Sequence, residues 1–301
     1  MLAPQPQNPS LARCWSVLCI CGAITILPLS AETITVKGSD TLVVLAQKWA
    51  ESYMTEHPKI RIQVTGGGSG TGLAALQNNT TDLANASRRI KPSETIGCIK
   101  AFKHRPLEFK ICLDGLSIFV NESNPVSEIS LAQLKAVFTG SISNWKTLGG
   151  ADSTIMIYGR ENSSGTYDFF KSRVLKGADY SFRIQSMPGT AALVQAVAKD
   201  RNGIGYGGSA FGQGVRRLRV RRRADGPAYA PTEDNVRSQK YPIWRYLYVY
   251  LNPAQNKGVL ADYLNWMQSQ VGQQVAADSG YYPLPGSETR QVCLTRNKIQ
   301  E

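Results

Sequence analysis

Residues 32–72 read ETITVKGSDTLVVLAQKWAESYMTEHPKIRIQVTGGGSGTG, and their pattern decides the fold class. Glu32–Gly38 alternates apolar and polar residues, as a half-buried strand does, and Ile60–Gly66 repeats the alternation. Between them Leu42, Leu45, Ala46, Trp49 and Tyr53 recur at helical spacing, which predicts a helix over Leu42–Met54. Leu73–Gln77 reads as a second helix and Asp82–Ser87 as a short strand. Strands that alternate with helices predict an α/β fold with a parallel sheet. Ligands of such sheets bind beyond the carboxyl ends of the strands.

Those strand ends carry donor-rich turns. Gly38-Ser39-Asp40-Thr41 precedes the first helix, and Gly66-Gly67-Gly68-Ser69-Gly70-Thr71-Gly72 precedes the second. A third turn, Arg160-Glu161-Asn162-Ser163-Ser164-Gly165-Thr166, precedes a helix-like run over Tyr167–Leu175. The first turn of a helix offers unpaired N–H groups and the positive end of its dipole. Ser and Thr hydroxyls add donors, and Gly allows close approach or positive φ. A single turn of this kind is an ordinary cap; three in one chain, one with Arg160, predict a convergent oxyanion site.

The alternation continues downstream. Gly115–Asn121, Thr154–Tyr158, Gly203–Gly207 and Trp244–Leu251 read as strands. Ser130–Phe138, Thr190–Lys199 and Gly258–Ser269 read as helices, with Ser130 as a cap.

The amino-terminal segment reads as an export signal. Residues 1–31 hold one charge, Arg13, then the apolar run Trp15–Leu27 and the small residues Ser30 and Ala31. That run falls short of the ~20 residues needed to span a bilayer. Cleavage after Ala31 would remove Cys14, Cys19 and Cys21 and leave Cys98, Cys112 and Cys293 in an exported protein. In an oxidising compartment a Cys98–Cys112 bridge is a reasonable expectation.

Composition narrows the chemistry. Neither CxxC spacing nor a His cluster is present, so no metal or cofactor is expected. The formal charge of +12 includes Arg216, Arg217, Arg219, Arg221, Arg222 and Arg223, which alternate with Val215, Leu218 and Val220. With no stacking aromatics or recognition motif beside it, this stretch reads as a charge-protected edge strand, and no nucleic-acid partner is expected.

Five stretches together carry a family signature: ITVKGSDTLVVLAQKWAE, VTGGGSGTGLAALQNNTTDLANASRRIK, YGRENSSGTYDFF, GIGYGG and YPIWRYLYVYLN. In these the chain resembles the PstS-type substrate-binding proteins of bacterial phosphate ABC transporters. The resemblance implies a two-lobed, type II periplasmic-binding-protein fold of the Venus-flytrap kind, with an anion cleft between the lobes. It implies residues 1–31 as signal peptide, residues 32–115 and 247–301 as one lobe, and residues 116–246 as the other. The hinge would run through Asp114–Leu116 and Ile243–Tyr246. Inorganic phosphate is the implied ligand, inner-membrane permease subunits the implied partners, and a monomer the implied state.

Mapped position by position, the resemblance assigns Ser39, Asp40, Thr41, Ser69, Gly70, Ser87 and Arg88 to the first lobe's share of the site. Arg160, Ser164, Gly165 and Thr166 make up the second lobe's share. Many relatives carry Asp where this chain has Arg88, and that carboxylate accepts the proton of hydrogen phosphate. Asp40 is the alternative acceptor here, although a helix cap is an equally ordinary role for it.

Two other function classes fit less well. A hydrolase needs an activated nucleophile, and neither Ser69 nor Ser164 has a His base or a GxSxG elbow in the sequence. A P-loop requires Lys after its last Gly, which Gly72 lacks. An adhesive or signalling module on the same fold would share all these features.

Overall fold

The computed structural model describes residues 1–3 and 32–286. Residues 4–31 of the expected signal peptide, its cleavage point included, and Cys293 lie outside the described residues.

The opening stretch folds as its pattern predicts, into β1 (Glu32–Gly38), α1 (Val43–Glu56), β2 (Ile60–Thr65), α2 (Ser69–Gln77) and β3 (Leu83–Ala86). β1 pairs in parallel with β2 on one side and β3 on the other, with Ile34 opposite Ile62 and Val36 opposite Leu83. α1 buries Leu45, Ala46, Trp49, Ala50 and Tyr53, and Trp49 Nε1 donates to the carbonyl of Gly272 at 2.7 Å.

α3 (Pro92–Phe102) follows, although no helix is predicted there. Its sequence signal is Pro at the first helical position and Glu94 two residues later, whose carboxylate accepts from the Lys91 N–H at 2.7 Å. The long β4 (Leu107–Val120) leads to β5 (Glu128–Ser130) and α4 (Leu131–Phe138). The Ser130 cap is present, with its hydroxyl accepting from Gln133 N and Gln133 reaching back to Ser130 N. Next come β6 (Met156–Arg160), α5 (Gly165–Arg173), β7 (Gln185–Met187), α6 (Gly189–Lys199) and β8 (Gly203–Gly208). The arginine-rich stretch forms β9 (Arg216–Arg217) and β10 (Arg219–Arg221), followed by β11 (Ala228–Tyr229) and α7 (Glu233–Arg237). β12 (Trp244–Leu251), α8 (Gly258–Gln268) and α9 (Gln270–Asp278) complete the described chain.

The main sheet is mixed rather than parallel. Its order is β2-β1-β3-β12-β4-β8-β6-β7, with β9 on the free side of β4. β12 and β4 are antiparallel to each other and to their outer neighbours β3 and β8, whereas β1–β3 and β6–β8 keep the parallel arrangement. Periodicity reports which face of a strand is buried, not which strand lies beside it, so the antiparallel insertion of these two strands was not legible even though Trp244–Leu251 and Gly115–Asn121 read as strands.

Buried apolar side chains gather into two large clusters. One draws on residues 34–112 and 247–281, with Ile34, Trp49, Ile111, Val249 and Leu264 among its members. The other draws on residues 113–243, with Leu116, Phe138, Phe170, Tyr206 and Ile243. β4 contributes to both, because its first half pairs with β12 and its second half with β8.

Two expectations need correction. Cys98 and Cys112 are both free, buried thiols. Cys98 is buried on α3, and Cys112 lies on β4 inside the first cluster. The arginine stretch is also not a simple edge. β10 is the middle strand of a small sheet, β11-β10-β5, and only β9 sits at an edge. Val215, Leu218 and Val220 are buried while the arginines turn to local acceptors, such as Glu128 for Arg219 and Arg221 and Ser209 O for Arg217.

Candidate anion-binding site

Four chain segments converge beyond the ends of β1, β3 and β6. The turn after β1 supplies Thr41, the start of α2 supplies Ser69, the residue after β3 is Ser87, and the first turn of α5 supplies Thr166. Thr41 Oγ1 lies 2.9 Å from Thr166 Oγ1, and Ser87 Oγ lies 3.4 Å from Thr166 Oγ1 and 3.3 Å from Ser69 Oγ. Ser69 Oγ also accepts from the Ser87 N–H at 3.0 Å. All four residues are buried to 1% exposure or less.

Local structure explains how they meet. α5 is capped by Ser164, whose hydroxyl accepts from the N–H groups of Thr166 and Tyr167 at 3.2 and 3.3 Å. Behind that helix Phe170 stacks on Tyr206 with centroids 4.1 Å apart, and Tyr180 Oη lies 2.9 Å from Tyr206 Oη and donates to Tyr167 O. Burial pushes both phenols above their ordinary pKa, so they stay neutral. Gly165 permits the closest approach, since a Cβ there would stand 2.2 Å from Ser69 Oγ and 2.7 Å from Ser87 Oγ. Gly68, at φ +95°, likewise leaves no room for a Cβ beside the carbonyl of Ser163.

Donors outnumber protein acceptors at this point. The backbone N–H groups of Thr41, Ser69, Arg88 and Gly165 have no protein acceptor among the described residues. Arg160, 3% exposed, gives Nη1 to Thr190 Oγ1 at 2.8 Å and Nη2 to Asp40 Oδ2 at 2.6 Å, while its buried Nε is left unpartnered. Buried polar groups are costly unless paired, so the cluster is complementary to a small anion with many lone pairs.

The remaining sequence-predicted residues take other positions. Asp40 does not cap α1; its Oδ1 accepts from Gly67 N at 2.8 Å and its Oδ2 holds Arg160. Ser39 is buried and joins the turn through its backbone, donating to Asn85 O at 2.9 Å and accepting from Leu42 N. Gly70 N donates to Ser163 O at 2.9 Å, tying the α2 loop to the α5 loop.

Arg88 points to carboxylates. Its Nε is 2.9 Å from Asp168 Oδ2, and Nη1 and Nη2 lie 2.8 and 2.7 Å from the two oxygens of Glu94. Burial works against its charge, but the Glu94 and Asp168 contacts prevail and raise its pKa. Lys91 Nζ joins at 2.7 Å from Asp168. Arg88, Arg89, Lys91, Asp168, Lys171 and Lys176 line a groove of about 810 Å³ on the surface.

Gly67 and Ser163 fall in the predicted donor turns without an assigned role, and Thr190 and Asp168 were not singled out from the sequence. Thr190 was legible in principle, as a hydroxyl in the first turn of α6. Asp168 and Gly67 gain their roles only through partners distant in sequence.

Comparison with known proteins agrees with this geometry. The family model described as PBP superfamily domain matches residues 25–271. The chain is 33% identical to the phosphate-binding protein PstS of Pseudomonas aeruginosa over 264 residues, covering 82% of each chain. It is 30% identical to PstS of Bacillus subtilis over 256 residues, covering 85% of this chain and 82% of that one. Among solved structures, a Clostridium perfringens substrate-binding protein with bound phosphate superposes with a TM-score of 0.77 at 25% identity, covering 84% of this chain and all of the other. An ABC-type phosphate transport receptor from Vibrio cholerae gives a TM-score of 0.67 at 25% identity, covering 84% of this chain and 100% of the other. The fold is therefore the two-lobed α/β architecture of periplasmic binding proteins. With its fold, its convergent donor turns and its similarity along most of its length all in agreement, the chain belongs to the PstS phosphate-binding protein family of the PBP superfamily.

Proposed function

We propose that this protein captures inorganic phosphate between its lobes and delivers it to an ABC permease for uptake. The observation that carries this reading is the buried cluster of Thr41, Ser69, Ser87 and Thr166 beside the unpartnered Nε of Arg160. Phosphate supplies the acceptors that these hydroxyls, the free N–H groups and the guanidinium lack. Asp40 adds an acceptor for the proton of hydrogen phosphate while it holds Arg160 in place.

The reading includes a lobe division at residues 32–115 with 247–301 and at 116–246. The two buried clusters, which divide near residues 113 and 247, support it. Ser69 and Ser87 then come from one lobe and Thr166 and Arg160 from the other, so phosphate stabilises a closed state through contacts made only there. Ser39, Gly70 and Ser164 shape the turns that present these donors, Arg88 and Gly165 add their backbone N–H groups, and the Arg88–Asp168 pair bridges the two lobes. The protein is exported to the periplasm by residues 1–31 and works as a monomer with inner-membrane permease subunits as partners.

The role is binding without turnover. None of the clustered hydroxyls has a His base, and His57 packs instead on the Tyr53 ring with centroids 4.2 Å apart. Calorimetry on anion-stripped protein should show one phosphate per chain, with compaction in small-angle scattering. Absence of both heat and thermal stabilisation would refute the proposal.

A further inference from the structure

Arg245 and Asp114 face each other in register across β12 and β4, where both strands pass between the two apolar clusters. Arg245 Nε and Nη2 lie 3.0 and 2.8 Å from Asp114 Oδ2, with side-chain exposures of 2% and 0%. Burial lowers the Arg245 pKa and the Asp114 charge works against that. A pair this deep contributes little net stability relative to apolar packing, because desolvation consumes most of the Coulomb gain. Its geometry indicates a different use.

The third arm of the guanidinium reaches the candidate site. Arg245 Nη1 donates to the carbonyl of Ser87 at 3.0 Å, and its guanidinium carbon stands 5.2 Å from the Phe169 ring on α5. Asp114 Oδ1 accepts from Ser209 N at 3.1 Å, which fixes the carboxylate in turn. The Ser87 carbonyl belongs to the peptide that carries the Arg88 N–H. The chain has no cis peptide among the described residues, so that N–H points away from Arg245, on the opposite edge of the same amide. It is one of the N–H groups with no protein acceptor among the described residues. A cation bound to a carbonyl polarises the amide and strengthens its N–H as a donor.

We propose that Arg245 is a positioning residue of the phosphate site, holding and polarising the Ser87–Arg88 peptide so that the Arg88 N–H donates to the bound anion beside the Ser87 hydroxyl. Asp114 orients Arg245 and balances its charge. The inference rests on phosphate capture at this cluster and names a donor that neither the Arg88 side chain nor any turn motif supplies.

The test follows the Arg88 amide in 15N-labelled full-length protein titrated with inorganic phosphate, alongside calorimetry on the same sample. On saturation the Arg88 amide proton should move downfield and gain protection from exchange. Arg245→Lys keeps the charge beside Asp114, but one ammonium cannot serve both Asp114 and the Ser87 carbonyl as the fork does. It should shrink the Arg88 shift and weaken phosphate about tenfold, chiefly through faster release, the scale of one charged hydrogen bond. An Arg88 amide unmoved by phosphate, in wild-type protein that binds it calorimetrically, overturns the inference and leaves phosphate capture standing. The inference also falls if Arg245→Lys keeps both the wild-type affinity and the wild-type shift. If Arg245→Lys does not fold, the wild-type amide shift decides alone. Absence of phosphate binding in the wild-type protein would instead remove the functional reading itself.

Discussion

Thr41 and Thr166, separated by 125 residues of chain, bring their hydroxyl oxygens to 2.9 Å. Each sits next to a helix start on a different side of the cluster, and neither is exposed beyond 1%. The contact joins two donor-rich turns into one candidate site.

Arg160 is held by Thr190 and Asp40 with one buried donor to spare. Arg160→Lys cannot reproduce the planar fork, and hydrogen bonds to charged groups are worth roughly 1.5–3 kcal/mol. The expected loss is about tenfold or more in phosphate affinity by calorimetry, with a larger loss for Arg160→Ala. Arg222→Ala, an exposed change at a side chain that reaches Gln239 O at 3.4 Å, serves as the control and should bind as wild type does.

Asp40 is the carboxylate that touches Arg160 at the site. A carboxylate accepts the O–H of hydrogen phosphate but repels sulfate, which has no proton to give near neutral pH. Asp40→Asn should therefore narrow the ratio of phosphate to sulfate affinity, and it should also loosen Arg160. Parallel titrations with both anions check this; an unchanged ratio in folded protein would reduce Asp40 to a support for Arg160.

Gly165→Ala is a geometric test. Alanine is the better helix former, yet its Cβ would meet Ser69 Oγ at 2.2 Å and Ser87 Oγ at 2.7 Å. Overpacking of this kind costs about 1–3 kcal/mol, and here it falls on the closed arrangement. Phosphate affinity should drop about tenfold or more while circular dichroism keeps its wild-type shape. Wild-type affinity in this variant would mean that the two loops do not approach so closely in the bound state.

The thiols should be inert in the native protein. Burial pushes Cys98 up to about 11 and Cys112 well above its ordinary value. Only the thiolate reacts, so at pH 8 about a thousandth of Cys98 is reactive even before access is considered. N-ethylmaleimide followed by peptide mass spectrometry should leave both residues unlabelled natively and label both in denaturant without reductant. A Cys98–Cys112 disulfide peptide from the native protein would contradict the free-thiol arrangement.

What the sequence determined by itself was local. Alternation at Glu32–Gly38 and Ile60–Gly66, the helical spacing of Leu45, Trp49 and Tyr53, and the Gly/Ser/Thr turns each depend on residues close in the chain. Burial period and capping chemistry are set over a few residues, so β1, α1, β2 and the three donor turns were legible, and the five matching stretches carried the family. Tertiary structure decided the partnerships. Nothing near Arg88 in the chain announces Asp168, nothing near Asp40 announces Arg160, and nothing in the run around Arg245 announces Asp114 or the Ser87 carbonyl. It also decided that β12 and β4 enter the sheet antiparallel and that Cys98 and Cys112 stay apart. Long side chains such as Arg reach whatever acceptor the fold brings within a few ångströms. Their pairing is therefore a property of the assembled sheet, fixed by the same long-range contacts that offset the entropy of closing the chain.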